Sequence, residues 1–159
     1  MEILTAKGIS VHIEKILSRR SKEIILISPY LDIHKHYFTL LSIASEKDIP
    51  ITIVYGKTER IKDEQWEQLA ELPTCSIYYC ENLHAKMYLN HNTAVISSMN
   101  LYSYSEANNL EVGVHFTKEE DDISWEDLHD RIEVIIKNSE LKHEPCLLYT
   151  SDAADDETS

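Results

Sequence analysis

Three runs of apolar residues divide the first half of the chain. Residues 23–28 (EIILIS) and 51–55 (ITIVY) are mostly Ile, Leu and Val, and residues 75–80 (CSIYYC) place Ile and Tyr between two cysteines. A continuous apolar run of this length predicts a strand buried on both faces, as in a parallel or mixed sheet under helices. The tyrosines of the third run are typical of a half-buried sheet surface.

Stretches with helical spacing of apolar residues separate these runs. The strand–helix–strand order between residues 23 and 55 forms a βαβ unit, so its strands should be parallel neighbours. The pattern predicts an α/β fold, with a mixed β-sheet flanked by helices. The predicted helices lie within residues 1–20, 31–46, 63–72 and 119–139, with Ser10 as the N-cap of the first and Thr117 as that of the last. The apolar residues of the last helix that should face inward are Ile123, Leu128, Ile132, Ile135 and Ile136.

Polar residues mark the ends of three further predicted strands, residues 84–89, 93–98 and 110–116. His91 and Asn92 form a predicted hairpin turn, with Asn suited to left-handed backbone. We expect an imidazole, a cation, a hydroxyl, an amide and a carboxylate to converge where these strands end. An imidazole that attacks or carries a proton, with a cation and an amide on the oxygens, suits a phosphodiester. The residues are His84, Lys86, Ser98, Asn100 and Glu111.

The pattern His84-x-Lys86, Ser98-x-Asn100, Glu111 resembles the HxK…(G/S)SxN…E signature of the phospholipase D superfamily. It is most similar to small bacterial members with a single motif, which are mostly nuclease-like. A weaker resemblance extends upstream through residues 24–30 and 51–57. The resemblance implies a phospholipase D-like lobe and a phosphodiesterase, most of all a nuclease.

The resemblance also implies a role for each motif residue. His84 would be the nucleophile that forms a phosphohistidine, or the general acid that protonates the leaving oxygen. Lys86 and Asn100 would bind the non-bridging phosphate oxygens, and Ser98 would assist in substrate binding. Glu111 would orient the imidazole, as a carboxylate does for a catalytic His. No metal or other cofactor is implied.

The HxK motif occurs once, although the implied reaction needs two imidazoles on opposite sides of one phosphorus. An active enzyme therefore requires a two-fold homodimer through the active-site face, with two His84 residues opposed. A second motif beyond Pro145 is the alternative.

Two positions depart from the family pattern. His91 stands where the family usually has Asp, and it fits better as a turn residue than as a catalytic imidazole. Ser97 stands where Gly is common, which narrows the approach to a phosphate. These departures keep open a catalytically inactive nucleic-acid-binding domain of a larger protein. A phospholipid hydrolase or phosphatidyltransferase is the alternative enzyme.

Composition restricts the partners. The formal net charge of −13 argues against a sequence-reading DNA protein, because phosphate contacts need local Lys and Arg, but it permits a nuclease with a local cationic site. The longest apolar stretches are too short to span a membrane, and the N-terminus lacks the layout of a signal peptide. We expect a cytoplasmic protein that binds nucleic acid, DNA foremost, and a second copy of itself, without a membrane.

The chain end differs from the rest. Residues 146–159 (CLLYTSDAADDETS) resemble a translated sequencing adapter. We therefore expect one phospholipase D-like domain over residues 1–145, truncated at its C-terminal end, followed by a non-native segment. A disordered acidic tail is the alternative.

Other side chains have a simpler structural interpretation beside a functional one. His34 and His36, two apart on a predicted helix, would not share a face and should be surface residues. Cys75 and Cys80 would face opposite sides of a strand and stay unpaired. Residues that could contact phosphates or bases, but fit as well as solvated charges or packing side chains, are Arg19, Arg20, Lys22, Lys57, Arg60, Tyr102 and Tyr104.

Overall fold

The computed structural model describes residues 1–57, 61–102 and 109–146, with the side chain of Tyr102 excluded. Its helices are α1 (Ala6–Ser18), α2 (Lys35–Glu46), α3 (Asp63–Ala70) and α4 (Asp122–Lys137). Its strands are β1 (Glu2–Leu4), β2 (Ile24–Ile27), β3 (Leu31–Asp32), β4 (Ile51–Tyr55), β5 (Cys75–Tyr79), β6 (Met87–Asn90), β7 (Thr93–Ser97), β8 (Leu101–Tyr102), β9 (Gly113–Thr117) and β10 (Glu140–His143).

Eight of these strands form one mixed sheet in the order β1-β9-β7-β6-β2-β4-β5-β10. The strands β2, β4 and β5 run parallel, which confirms the βαβ prediction. All remaining neighbours in the sheet are antiparallel. The carboxyl ends of β2, β4, β5 and β7 therefore lie at the same edge as the starts of β6 and β9.

Both faces of the sheet are covered, as the continuous apolar runs predict. Within β2, Ile24 and Leu26 belong to one buried cluster, with residues of α1, α2 and α3. Ile25 and Ile27 belong to a second cluster, with Trp125, Leu128 and Ile132 of α4. The α/β architecture of a mixed sheet between helices is confirmed.

The first two helices begin elsewhere than predicted. Thr5, and not Ser10, is the N-cap of α1, and its hydroxyl accepts a hydrogen bond from the Gly8 N–H (3.3 Å). The helix α2 begins at Lys35 rather than residue 31. The four residues before it include the short strand β3, which pairs with β8 and holds that segment extended.

The last helix is also shorter at its start. Asp121 caps α4 through the Ser124 N–H, while Thr117 accepts from the Glu120 N–H in the preceding turn. Ile123 lies five residues before the buried Leu128, about 140° around the helix, and is 71% exposed, so the prediction that it faces inward is wrong. Trp125 is buried in its place.

The signature strands are shorter than predicted. The strand β6 begins at Met87, so His84 and Lys86 precede it, and β9 begins at Gly113. His91 and Asn92 join β6 to β7 as predicted. Among the described non-glycine residues only Asp48 has a positive φ, so Asn92 does not adopt the expected left-handed backbone. The outer strands β1 and β10 were not predicted.

The structure also bears on two further features, the pairing of the cysteines and the presence of membrane-spanning helices. Cys75 and Cys80 are both free, and each lies in a different buried cluster. Among the described residues, no helix has the length and apolar character needed to cross a membrane.

Candidate active site

The residues of the signature collect along one edge of the sheet. Met87, the first residue of β6, pairs with Ile27 at the end of β2 and with Ile96 near the end of β7. Ser97 pairs with Gly113 at the start of β9. The residues immediately outside these strands therefore come from four chain segments and share one edge, as the sequence predicts.

Lys86 is tied to this edge by its backbone. Its carbonyl oxygen accepts a hydrogen bond from the Ser97 N–H (3.1 Å), which extends the β6–β7 ladder by one position. The Lys86 side chain is half-buried, and His84, two residues earlier, is exposed. The edge thus offers an imidazole to an incoming group, with a cation beside it in the chain.

Ser98 and Glu111 form a side-chain hydrogen bond across the ends of β7 and β9. The Ser98 hydroxyl donates to Glu111 Oε1 (2.7 Å) and accepts from the Val112 N–H (3.0 Å). The Ser98 N–H in turn donates to the Val112 carbonyl oxygen (3.0 Å). These three bonds hold the Glu111 carboxylate beside the end of β7 and the start of β9.

Asn100 lies between two fixed points of the backbone. The buried Tyr88 hydroxyl donates to the carbonyl oxygen of Met99 (2.7 Å), the residue before Asn100. The N–H of Leu101, the residue after it, donates to the Ser28 hydroxyl (2.9 Å). Tyr88 and Ser28 therefore hold the main chain on both sides of the amide.

The Asn100 side chain itself has an unused polar end. Its Oδ1 atom is buried and has no hydrogen-bond partner among the described residues. The oxygen and nitrogen ends of an amide are interchangeable by rotation, so this position can also present N–H groups. A group that reaches this edge would meet an amide with free hydrogen-bonding capacity.

The segment that carries His84 packs on Gly56 at the end of β4. A Cβ atom on Gly56 would lie 2.9 Å from the Cys80 carbonyl oxygen and 2.9 Å from Leu83 Cβ. The Gly56 and Lys57 N–H groups both donate to the Pro29 carbonyl oxygen (3.1 and 3.0 Å). The absence of a side chain at Gly56 therefore lets the loop before His84 sit against the end of the sheet.

Charged groups of both signs, the Glu111 carboxylate and the Lys86 ammonium, lie at this edge. Burial raises the pKa of Tyr88 far above its ordinary value, and the Glu111 carboxylate raises that pKa further. The Tyr88 phenol therefore stays protonated as a donor, and Glu111 acts on it electrostatically. Lys86 supplies a positive charge at the same edge.

Several predicted contacts are placed differently. In the described residues, Glu111 hydrogen-bonds Ser98, and it forms no hydrogen bond with His84. His91 lies in the turn after β6, at the opposite edge, where its Nδ1 lies within hydrogen-bond distance of the Ser21 hydroxyl and the Lys22 N–H. Arg60, Tyr104 and the Tyr102 side chain lie outside the described residues.

Three residues at this edge were not predicted to serve it, namely Ser28, Gly56 and Tyr88. Their roles depend on contacts between residues far apart in the chain, such as Ser28 with Leu101. The local pattern carries one signal: Ser28 and Gly56 are small residues directly after buried strands. In the described part of the chain, the group with metal-ligand spacing contains neither His84 nor Glu111.

Comparison with known proteins agrees with this geometry. The family profile described as "Cardiolipin synthase, PLD-like domain" matches residues 13–138, so the chain belongs to this phospholipase D-like family. No curated protein matches it.

Solved structures show the same fold. NucT from Helicobacter pylori is 12% identical, with a TM-score of 0.71 over 89% of this chain and 98% of that one. The phospholipase D family member Nuc from Salmonella typhimurium is 13% identical, with a TM-score of 0.65 over 90% and 99%. The archaeal chromatin protein TrmBL2 is 13% identical, with a TM-score of 0.62 over 89% and 52%.

Proposed function

We propose that the protein is a phosphodiesterase that hydrolyses nucleic acid through His84, in a site built by two copies of the chain. The observation that carries this proposal is the shared edge, where hydrogen bonds from neighbouring segments hold Lys86, Ser98, Asn100 and Glu111, with His84 exposed beside them. An imidazole with a cation and an amide nearby can attack phosphorus and stabilise its oxygens.

Each residue is assigned a role by the chemistry of its side chain. Lys86 and the Asn100 amide bind the non-bridging phosphate oxygens, where charge develops in the transition state. Glu111, held by Ser98, accepts from the ring N–H of His84 once substrate and partner close the site, because catalytic hydrogen bonds often tighten only in the complex. Ser98 therefore acts through Glu111.

The reaction proceeds in two balanced steps. His84 of one protomer attacks phosphorus to form a P–N bond, while the P–O bond to the leaving alcohol breaks and the partner's protonated His84 gives that oxygen its proton. The partner's His84, now neutral, then takes a proton from water. The resulting hydroxide attacks phosphorus, and the P–N bond breaks. The products are an alcohol and a phosphomonoester, and no metal is required.

Nucleic acid is the favoured substrate on three grounds. The signature is most similar to nuclease-like members of the superfamily, and TrmBL2, which shares the fold, is a chromatin protein with a described mode of DNA binding. The exposed position of His84 admits a bulky polymer. The family description also names cardiolipin synthase, which makes a phospholipid the second candidate substrate.

One experiment separates these functions. The full chain is incubated in excess EDTA with plasmid DNA, with bis-nitrophenyl phosphate and with phospholipid vesicles, beside His84→Ala and the control His129→Ala. His129 is half-buried on α4, where its ring packs against Trp125, and it is not part of the signature. The proposal expects EDTA-resistant cleavage of DNA that His84→Ala loses and His129→Ala keeps.

Other outcomes of this experiment are informative. Cleavage of lipid alone would show that the substrate is a phospholipid and not nucleic acid. DNA binding without cleavage by either protein would support an inactive binding domain, and hydrolysis that depends on added metal would overturn the mechanism.

A further inference from the structure

A second cluster of reactive side chains lies at the outer side of the sheet, where β1, β9 and α1 meet. Glu2 of β1 pairs in register with His115 of β9, and His12 projects from α1 towards both. Glu2 Oε1 lies 3.1 Å from His12 Nε2 and 3.5 Å from His115 Nδ1. One ligand atom of each residue lies within 4.8 Å of those of the other two.

These distances match those between ligands of one metal ion. Zinc bound to nitrogen or carboxylate oxygen at about 2.0–2.1 Å in a tetrahedron separates its ligand atoms by roughly 3.3 Å. The two Glu2 distances lie on either side of that value. The His12 and His115 rings stack at 3.9 Å with an angle of 22° between their planes. The His12 ring can also turn about χ2, a soft torsion, to direct its nitrogen at an ion shared with His115.

The two imidazoles are largely shielded from solvent, whereas the carboxylate is not. The side chains of His12 and His115 are 16% and 15% exposed, while that of Glu2 is 59% exposed.

A supporting contact orients one ring. The Nε2 atom of His115 contacts the Thr93 hydroxyl, so its other nitrogen, Nδ1, is the one that faces Glu2. Metal-binding histidines almost always donate their second ring N–H to an oxygen acceptor, most often a carboxylate, a backbone carbonyl or water, which fixes the tautomer and the ring plane. The Thr93 hydroxyl can serve as that acceptor here. With an ion on Nδ1 of His115, Nε2–H would donate to the Thr93 hydroxyl.

The cluster is separate from the candidate active site. His115 pairs with Val95, two residues before Ser97 at the end of β7, so the cluster lies about 7 Å along the strands from the edge that carries the signature residues. Neither His84 nor Glu111 belongs to the cluster.

We propose that Glu2, His12 and His115 bind a divalent transition metal, zinc foremost, with water at the remaining position. Two imidazoles and a carboxylate are a donor set that suits zinc. The ion would join β1 to β9 and α1, and would fasten the first residues of the chain to the sheet. It takes no part in the hydrolysis, so removing it leaves the active site in place.

Calorimetry tests the site directly. Untagged, EDTA-dialysed full-length protein is titrated with zinc chloride, and one saturable site per chain is expected. Glu2→Gln should weaken zinc binding about ten-fold or more, as should His12→Gln and His115→Gln. The controls His36→Ala and His84→Ala should bind zinc as the wild type does.

Thermal melts and cobalt spectra complete the test. Zinc should raise the Tm of the wild type and leave that of Glu2→Gln almost unchanged, because only a folded-state site stabilises by binding. Cobalt should give ligand-field bands without thiolate charge transfer. If His115→Gln fails to fold, Glu2→Gln still decides, because its side chain is exposed.

Three results would overturn the site. They are the absence of saturable zinc binding, binding that Glu2→Gln leaves unchanged, and binding that is lost in His84→Ala. The proposed hydrolysis is assayed in EDTA, so a failure of this site would not affect it.

Discussion

The Ser98 hydroxyl donates a 2.7 Å hydrogen bond to the Glu111 carboxylate across the ends of two neighbouring strands. The carboxylate is thus held by a residue 13 positions away, and its orientation does not depend on a substrate. This preorganised pair is the part of the candidate site whose removal is simplest to interpret.

Ser98→Ala should lower kcat for phosphodiester hydrolysis roughly ten-fold or more, since a hydrogen bond to a charged group contributes about 1.5–3 kcal/mol. Ser98→Thr keeps a hydroxyl and should restore much of the rate. Ser18→Ala, at the exposed end of α1, is the control. Loss of rate with unchanged Tm supports the positioning role, and an equal loss in Ser98→Thr would contradict it.

Tyr88→Phe removes the donor to Met99 without changing the shape of the core. The buried carbonyl then lacks its partner, which should cost about 1–3 kcal/mol of unfolding free energy, measured by urea titration. Activity should fall further than stability predicts, because Asn100 loses one of its two backbone supports. Tyr78→Phe, at a half-buried position of β5, should change neither. Full activity in Tyr88→Phe would show that Asn100 is placed by other contacts.

Gly56→Ala and Gly8→Ala should have opposite effects on stability. At Gly56 the added Cβ meets a backbone carbonyl at 2.9 Å, and overpacking of this kind costs about 1–3 kcal/mol. At Gly8, inside α1, the nearest atom is 3.4 Å away, and Ala should stabilise the helix by about 0.5–1 kcal/mol. Thermal melts of both variants test these opposite changes in Tm. Destabilisation by Gly8→Ala would contradict the packing described for α1.

Asp121 gives a prediction about pH. Hydrogen bonds from the Ser124 N–H and hydroxyl lower its pKa below the ordinary 3.8. Its stabilisation is therefore complete above that value and is lost as the pH falls through the lower folded-state pKa. Asp121→Asn keeps an N-cap acceptor but cannot titrate. The Tm difference between wild type and Asp121→Asn should shrink between pH 5 and pH 2, roughly the interval in which a carboxylate titrates. A constant difference would contradict this assignment.

Mixing experiments test the two-copy site. When wild type and His84→Ala are refolded together at equal amounts, one quarter of the dimers carry two His84 residues, so activity should fall to about a quarter of the all-wild-type value. Independent active sites would retain about half. Light scattering on the wild type should show a dimer, and an active monomer would exclude the proposed mechanism.

The sequence predicted the parts of the fold that depend on local pattern. The runs at β2 and β4 are apolar at nearly every position, because both faces of the sheet are covered, so their burial and parallel pairing could be inferred. The strands β1 and β10 are short and carry charged residues, and they are strands because a neighbour offers hydrogen bonds. Such strands leave no periodic signal.

The candidate site was predictable to a similar extent. The motif named residues that lie along one edge of the described sheet, but it did not indicate what holds them there. Tyr88 and Ser28 act through bonds to a segment that is remote in the chain. The predicted helix starts were wrong for a related reason. Thr5 and Asp121 compete as N-caps with the equally suitable Ser10 and Thr117, and tertiary packing selects between them.

The outer strands of the described sheet restrict how two molecules can associate. The strand β1 presents Glu2, and β10 presents Glu140 and Lys142, all exposed. Charged side chains on outer strands discourage another chain from continuing the hydrogen-bonded ladder. A partner molecule is therefore directed away from side-by-side addition, which could grow into an open fibre. The proposed pairing across the strand ends would instead be complete after one encounter.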